Sequence, residues 1–358
     1  GLIAPGMHLV YFRAPRMDSG WMECRMASFS GRRNKRLRGM QQIVLKVRSV
    51  CTPERSELFW RVGLLLLLVF AIALVVSLNA SITDRPAADD GRQNLKLAYN
   101  LAYHGVYSNS DDPDEHLEPS NIREPVPILS LAAWIRLHPQ LSSGHSLETM
   151  NSGSSILAVK RFNLFWSFLC LAGTAAAVLA AVRPRFVAVP AAAAAIWLTY
   201  EYFLLQPLVI NRAYTEVHGG ALLALLSFSL IRALEKKSRS WFAITGLAAG
   251  LLALTKAVFL YVGIGMILTL FMVYMIRQDR AFRLRFLGLL ALTAGCMAVV
   301  ILPWILRNRL LLGTTSISSR GGTVLYARAV KNRMNDTEFA GAFYHYAPPA
   351  LKAYIGNY

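Results

Sequence analysis

The side chains best able to do chemistry here are acids and cations placed at the ends of long apolar runs. Asp89 and Asp90 come first, shortly after the opening apolar run. A carboxylate there can take the proton of an attacking hydroxyl. An Asp pair just before a helix starting at Gly91 also suits an N-cap, because Asp is a preferred cap and the helix dipole stabilises it. One of the two is expected to cap, leaving the other for chemistry. Glu216 opens a second run in YTEVHGGALLALL, and Lys256 interrupts a third in GLLALTKAVF. PWILRN at 303–308 ends a fourth with Arg307 and Asn308, followed by Arg309 and the stretch LLLGTTSISSRGG. Ionisable groups at a membrane boundary are functional candidates by default. A cation there suits a phosphate, which an Arg can clamp through two parallel donors. Each has a plainer reading: Glu216 snorkelling to the interface, Lys256 marking a turn, and Arg307 flanking an interfacial Trp. Glu201 is a weaker candidate of the same kind as Glu216.

The elements that must hold these residues are set by composition. The chain has 358 residues, 55% hydrophobic and 16% charged, with mean hydropathy +0.40. Such values belong to an all-α polytopic membrane protein, not a water-soluble domain. A formal charge of +18 raises the question of nucleic acid, but the basic residues lie in an N-terminal tail and in short loops between apolar runs. That is the pattern of cytoplasmic loops and anionic lipid headgroups, and no basic folded face is visible. Cys24 and Cys51 in the tail, and Cys170 and Cys296 in apolar runs, make no disulfide framework.

Residues 1–57, with GRRNKRLR at 31–38 and QQIVLKVRSV at 41–50, read as a basic cytoplasmic tail without a cleavable signal. The transmembrane domain covers 58–306. Its spans are expected at 58–80, 162–182, 186–207, 216–234, 241–256, 257–276 and 286–306. The run 241–276 is split at Lys256 because one helix of 36 residues would extend about 54 Å, far beyond a hydrocarbon core. Short loops at 183–185, 235–240 and 277–285 hold nine Lys/Arg, against Arg212 and Lys256 in the alternate segments. The charge bias therefore agrees with seven spans and a cytoplasmic N-terminus. It puts Asp89, Asp90, Glu216, Lys256 and Arg307 on the extracytoplasmic face.

The large first extracytoplasmic loop, 81–161, carries an amphipathic helix at 91–103 with Leu95, Leu97, Ala98, Leu101 and Ala102 on its apolar side. It also carries a twelve-residue apolar segment at 126–137, too short to span. That length fits an interfacial helix with Trp134 at headgroup level. The Ser- and Gly-rich stretch 139–155 reads as a linker. Gly246-x-x-x-Gly250 predicts close helix packing. Residues 307–358 read as an extracytoplasmic segment. A start at Gly1 and an end at Tyr358 inside polar sequence suggest a piece of a longer protein. No histidine pair has zinc-type spacing, His104 and His218 reading instead as hydrogen-bonding residues. No Walker loop, dinucleotide fingerprint or Ser nucleophile elbow is present, so no cofactor or metal is expected, although a divalent ion is compatible with the chemistry.

In their order, four stretches resemble the polytopic GT-C glycosyltransferases of the protein mannosyltransferase and aminoarabinose transferase-like group. They are DDGRQNLKLAYNLAYHGVYS, the span entry at Thr215-Glu216, the GLAAGLLALTK run ending at Lys256, and PWILRN with its Ser/Gly loop. The similarity covers roughly 58–330. It implies an enzyme of the bacterial inner membrane that moves a sugar, with inversion, from a polyprenyl-phosphate donor to a glycan, lipid or protein acceptor on the extracytoplasmic side. The base would be Asp90 or Asp89, and the lipid phosphate would fall to Lys256 or Arg307, with Glu216 and Asn308 also at the substrate. Arg92-Gln93-Asn94 after the acid pair, and REPVPI where the family commonly has Pro-Pro, depart from its pattern and keep Asp84 as a third candidate base. The family also tends to continue through further spans. The main rival reading is a transporter or flippase for a lipid-linked sugar, which would show internal repeats and broken helices at the midplane. An assembly subunit without activity is a third.

Overall fold

The computed structural model describes residues 53–111, 117–142, 146–211, 215–277 and 280–321, with scattered positions beyond. The basic motifs at 31–38 and 41–50, Cys24, Cys51 and Arg212 lie outside the described residues. Two compact units divide after Leu58, and the following concerns the second.

The described residues are helical, with no strand. After α1 (Pro53–Ala80) come the loop helices α2 (Asp89–His104), α3 (Pro125–Leu137) and α4 (Leu147–Met150). Then follow α5 (Gly153–Ala181), α6 (Arg185–Thr199) with a π turn at Tyr200–Leu204, and the short α7 (Pro207–Ile210). The chain continues through α8 (Glu216–Lys236), α9 (Arg239–Ala253), α10 (Val258–Arg277) and α11 (Arg280–Leu312). Six helices, all but α9 of the expected seven, are long and apolar enough to cross a membrane. Their outward faces carry large apolar side chains such as Leu66, Val69, Leu268, Val273 and Leu302, as expected where lipid replaces water. The protein is a polytopic all-α membrane protein.

α9 has 15 residues, about 22 Å of helix. Even so, the chain returns to the level where α8 began, because Lys256 Nζ lies 2.8 Å from Glu216 Oε1. The break anticipated at Lys256 is a short turn between Ala253 and Val258. α9 sits between α8 and α11, and its small residues allow this. A Cβ on Gly246 would come within 2.3 Å of the Thr293 carbonyl oxygen, and one on Gly250 within 2.9 Å of that of Met297.

The segment between α1 and α5 has a core of its own. Leu95, Leu97 and Ala98 of α2 pack with Ile128, Leu131 and Ile135 of α3 and with Ile156 and Val159 of α5. This packing changes three expectations. α5 starts at Gly153, nine residues before the expected span, because its first turns serve the loop layer and not lipid. The stretch read as a linker contributes buried Leu141, Leu147 and Met150 and forms α4. Trp134 turns inward, its Nε1 donating to the Ala158 carbonyl at 3.0 Å and its ring stacked on Phe162.

Candidate active site

A polar chamber of about 530 Å³ lies between this loop layer and the ends of the spans. It is lined by Asp90 and Asn94 of α2, Arg123 and Glu124 before α3, and Glu216 at the start of α8. Lys256 from the α9–α10 turn, with Ser318 and Arg320 from the segment after α11, completes it. Local chain features deliver each group. Glu124 precedes the proline that opens α3 and is extended, with φ −71° and ψ 142°, as a pre-proline residue must be. That directs its carboxylate across to the Ala257 N–H (3.3 Å) and the Ser318 hydroxyl (3.4 Å). After α11 the chain reverses at Gly313, whose φ of 68° suits a residue without a Cβ. The segment that follows is held by Asn308 Nδ2 on the Ser316 carbonyl (2.9 Å) and Trp304 Nε1 on that of Ile317 (2.8 Å). The Ser319 N–H then reaches the Asn121 carbonyl at 2.9 Å.

The charges in the chamber are matched. Asp90 accepts from two guanidinium groups, Arg123 Nη2 on Oδ1 and Arg320 Nη2 on Oδ2, the latter at 2.6 Å. Arg123 is nearly buried, and its Nε donates to Gln93 Oε1 at 2.6 Å, so the Asp90 carboxylate is held in one orientation. Glu216 and Lys256 form the second ion pair. The chamber thus joins acids able to take a proton with cations able to meet a phosphate. No group of three His, Cys, Asp or Glu that could hold a metal lies among the described residues.

Of the residues named from sequence, the chamber gathers Asp90, Glu216 and Lys256. Asp89 is exposed, has a left-handed backbone (φ 49°), and is not in the chamber; it lines an adjoining depression with Lys96 and Asp111, which Asp90 also borders. Neither acid caps α2: the cap position is Ala88, no side chain bonds there, and both acids stand in the first turn. Asp84 is exposed on the segment ahead of α2 and lines neither cavity. Glu201 falls in the π turn, Arg309 points to the Gly313 carbonyl (3.1 Å), and His218 is packed against Trp166, with ring centroids 4.5 Å apart.

Arg307 and Asn308 stand elsewhere. Asn308 is fully buried and fastens the segment after α11. Arg307 Nη1 donates to the Ser120 carbonyl and to Asn308 Oδ1, both at 2.8 Å. Its guanidinium lies 4.7 Å from the Trp304 ring centre and 5.3 Å from that of Tyr107. Arg123, Glu124 and Arg320 escaped the sequence reading. Their signals were faint: a charged pair directly before a helix-opening proline, and an Arg directly before a Gly pair.

An apolar cavity of about 540 Å³ begins at the other side of the Glu216–Lys256 pair. It follows α8 from Glu216 to Ser227 and is walled by Cys170, Thr174 and Val178 of α5, with Phe203 from the π turn. Twelve residues of helix, eleven steps apart end to end, make it about 17 Å deep, roughly half a hydrocarbon core.

Residues 153–305 match the family model of the dolichyl-phosphate-mannose-protein mannosyltransferases. The matched family is of GT-C type, and the match covers 153 of the 358 residues. Neither a curated protein nor a solved structure matches the chain. The GT-C match runs from α5 into α11 and holds Glu216 and Lys256, while Asp90, Arg123, Arg307 and Arg320 fall outside it. It supports a membrane glycosyltransferase of GT-C type, a class that works with lipid-linked sugars and glycan or protein acceptors.

Proposed function

We propose that this protein transfers a sugar from a polyprenyl-phosphate carrier to an acceptor hydroxyl at the extracytoplasmic face, with inversion and with Asp90 as base. The observation that carries the proposal is the position of the Glu216–Lys256 pair. It stands where the polar chamber holding Asp90 meets the apolar cavity along α5 and α8. The carrier chain lies in that cavity, its phosphate meets Lys256, and its sugar projects into the chamber. The acceptor oxygen attacks the anomeric carbon from the side opposite the phosphate. The bond from that carbon to the phosphate oxygen breaks, and its electron pair leaves with polyprenyl phosphate. The acceptor proton passes to the Asp90 carboxylate, which Arg123 and Arg320 aim. The phosphate is already a good leaving group, so positioning and charge stabilisation suffice and no cofactor enters. The extracytoplasmic assignment rests on the basic loops at the opposite ends of the spans.

Purified full-length protein, given a polyprenyl-phosphate sugar and an acceptor mixture, is expected to release polyprenyl phosphate. Asp90→Asn should cut that release by about 10²-fold or more, the scale of a lost general base, while Asp89→Asn keeps it. Full turnover by Asp90→Asn would remove this base from the scheme. Labelled lipid crossing vesicles without being consumed would replace the transferase reading by a flippase.

A further inference from the structure

A second apolar groove, of about 580 Å³, opens on the other side of the segment that walls the chamber. It descends α11 from Leu311 past Arg307, Trp304 and Pro303 to Val300, eleven helical steps and so about 17 Å. Its depth thus equals that of the cavity beside α8. The partition between chamber and groove is thin. Glu124 lines one and Pro125 the other, Lys256 one and Leu254 the other, and the Val126 N–H bonds the Leu254 carbonyl at 3.2 Å. Tyr107, also in the groove wall, holds the partition by donating to the Arg123 and Glu124 carbonyls at 3.0 and 3.3 Å.

Arg307 gives this groove a charge. Its salt-bridge distances reach no carboxylate among the described residues, unlike those of Arg123, Arg320 and Lys256. Both its hydrogen bonds leave from Nη1, so Nε and Nη2 have no acceptor among the described residues. It is propped between two rings, near the end of a helix that is otherwise apolar toward the groove. A fixed cation one helical turn below the mouth of a hydrocarbon-lined slot, with about 10 Å of the slot continuing beneath it, complements an anionic head group on a long apolar chain.

We propose that this groove binds a second, phosphate-bearing lipid, and that this lipid is the sugar acceptor. Arg307 holds its phosphate, its chain runs down past Pro303 to Val300, and its head group reaches over the partition to the chamber. The inference rests on the transferase reading above and names the acceptor class. A hydroxyl of that head group forms the new bond to the anomeric carbon as the bond to the donor phosphate breaks, its proton going to Asp90.

Two measurements on full-length protein in nanodiscs test this. In the first, phosphatidic acid and the matching diacylglycerol, each with a diazirine in the chain, are photolysed and the labelled peptides mapped. Phosphatidic acid should label the peptides of Leu129 and Leu311 at least fivefold more than diacylglycerol does. Arg307→Gln should abolish that preference and leave labelling around Leu223, in the α8 cavity, unchanged. Equal labelling by the two lipids would mean only surrounding bilayer lipid, and would overturn the proposal, as would a preference that survives Arg307→Gln. In the second, the labelled sugar is followed after one turnover. Recovery in an extracted lipid other than the polyprenyl-phosphate donor, resolved by chromatography, supports a lipid acceptor, and recovery in the protein fraction overturns it. If polyprenyl phosphate is never released, the transferase reading fails, while the first measurement still decides whether a second anionic lipid binds.

Discussion

The chamber around Asp90 and the corner around Arg307 both place cations against the loop side of the spans, but they treat them oppositely. In the chamber, Arg123, Arg320 and Lys256 face Asp90, Glu124 and Glu216, and every cation has a carboxylate partner. At Arg307 the guanidinium has, among the described residues, only carbonyl and amide oxygens and two rings. A matched network holds its groups in set orientations, and a ligand phosphate must displace one of the pairings. A cation without a carboxylate needs no such exchange, and receives an anion directly. Tyr107 marks the boundary. Burial first, and the Glu124 carboxylate second, push its pKa well above the ordinary tyrosine value, so it stays a neutral donor to both carbonyls of the partition.

The contrast can be broken by substitution. The largest effect belongs to Asp90→Asn, with turnover falling about 10²- to 10⁴-fold and the melting temperature little changed. Loss of folding instead would make Asp90 a structural tether for Arg123 and Arg320. Next comes Lys256→Met, which removes the phosphate cation and leaves Glu216 without its partner. The KM for the polyprenyl donor should rise about tenfold, a loss of about 1.4 kcal/mol. The exchange Glu216→Lys with Lys256→Glu should recover thermal stability but not donor affinity; recovery of both would show that the pair only fastens helices. Arg307→Gln should raise the KM for a lipid acceptor several-fold with kcat nearly constant, the signature of lost ground-state binding. A fall in kcat alone would move Arg307 into the chemistry. The smallest effect is expected from Asn308→Ala, which removes the Ser316 and Arg307 hydrogen bonds. It should cost about 1–2 kcal/mol, read as a lowered melting temperature, with donor KM unchanged.

Much of the frame was legible from local pattern. Membrane-length apolar runs located six long helices, the single Lys256 located the α9–α10 turn, and Gly246 and Gly250 announced a close helix contact. Errors arose where a segment's partner was protein and not lipid. α5 starts early because Ile156 and Val159 pack beneath α2 and α3, and Trp134 finds Ala158 and Phe162 and not a headgroup. Capping failed as a prediction because α2 begins at Asp89, two residues before the expected start at Gly91, which moves the cap to Ala88. Composition and patterning thus determined on their own that this is a polytopic helical membrane protein with a polar layer after its first span, because hydrocarbon admits few alternatives to apolar helices. Which ionisable groups meet was decided only by tertiary structure. Asp90 and Arg320 are 230 positions apart, and no local periodicity relates residues joined through separate helices. The Asp89–Asp90 pair with which the sequence opens its chemistry is divided by the fold. A helical step turns the neighbouring side chain by about 100°, which leaves Asp90 in the chamber and Asp89 outside it.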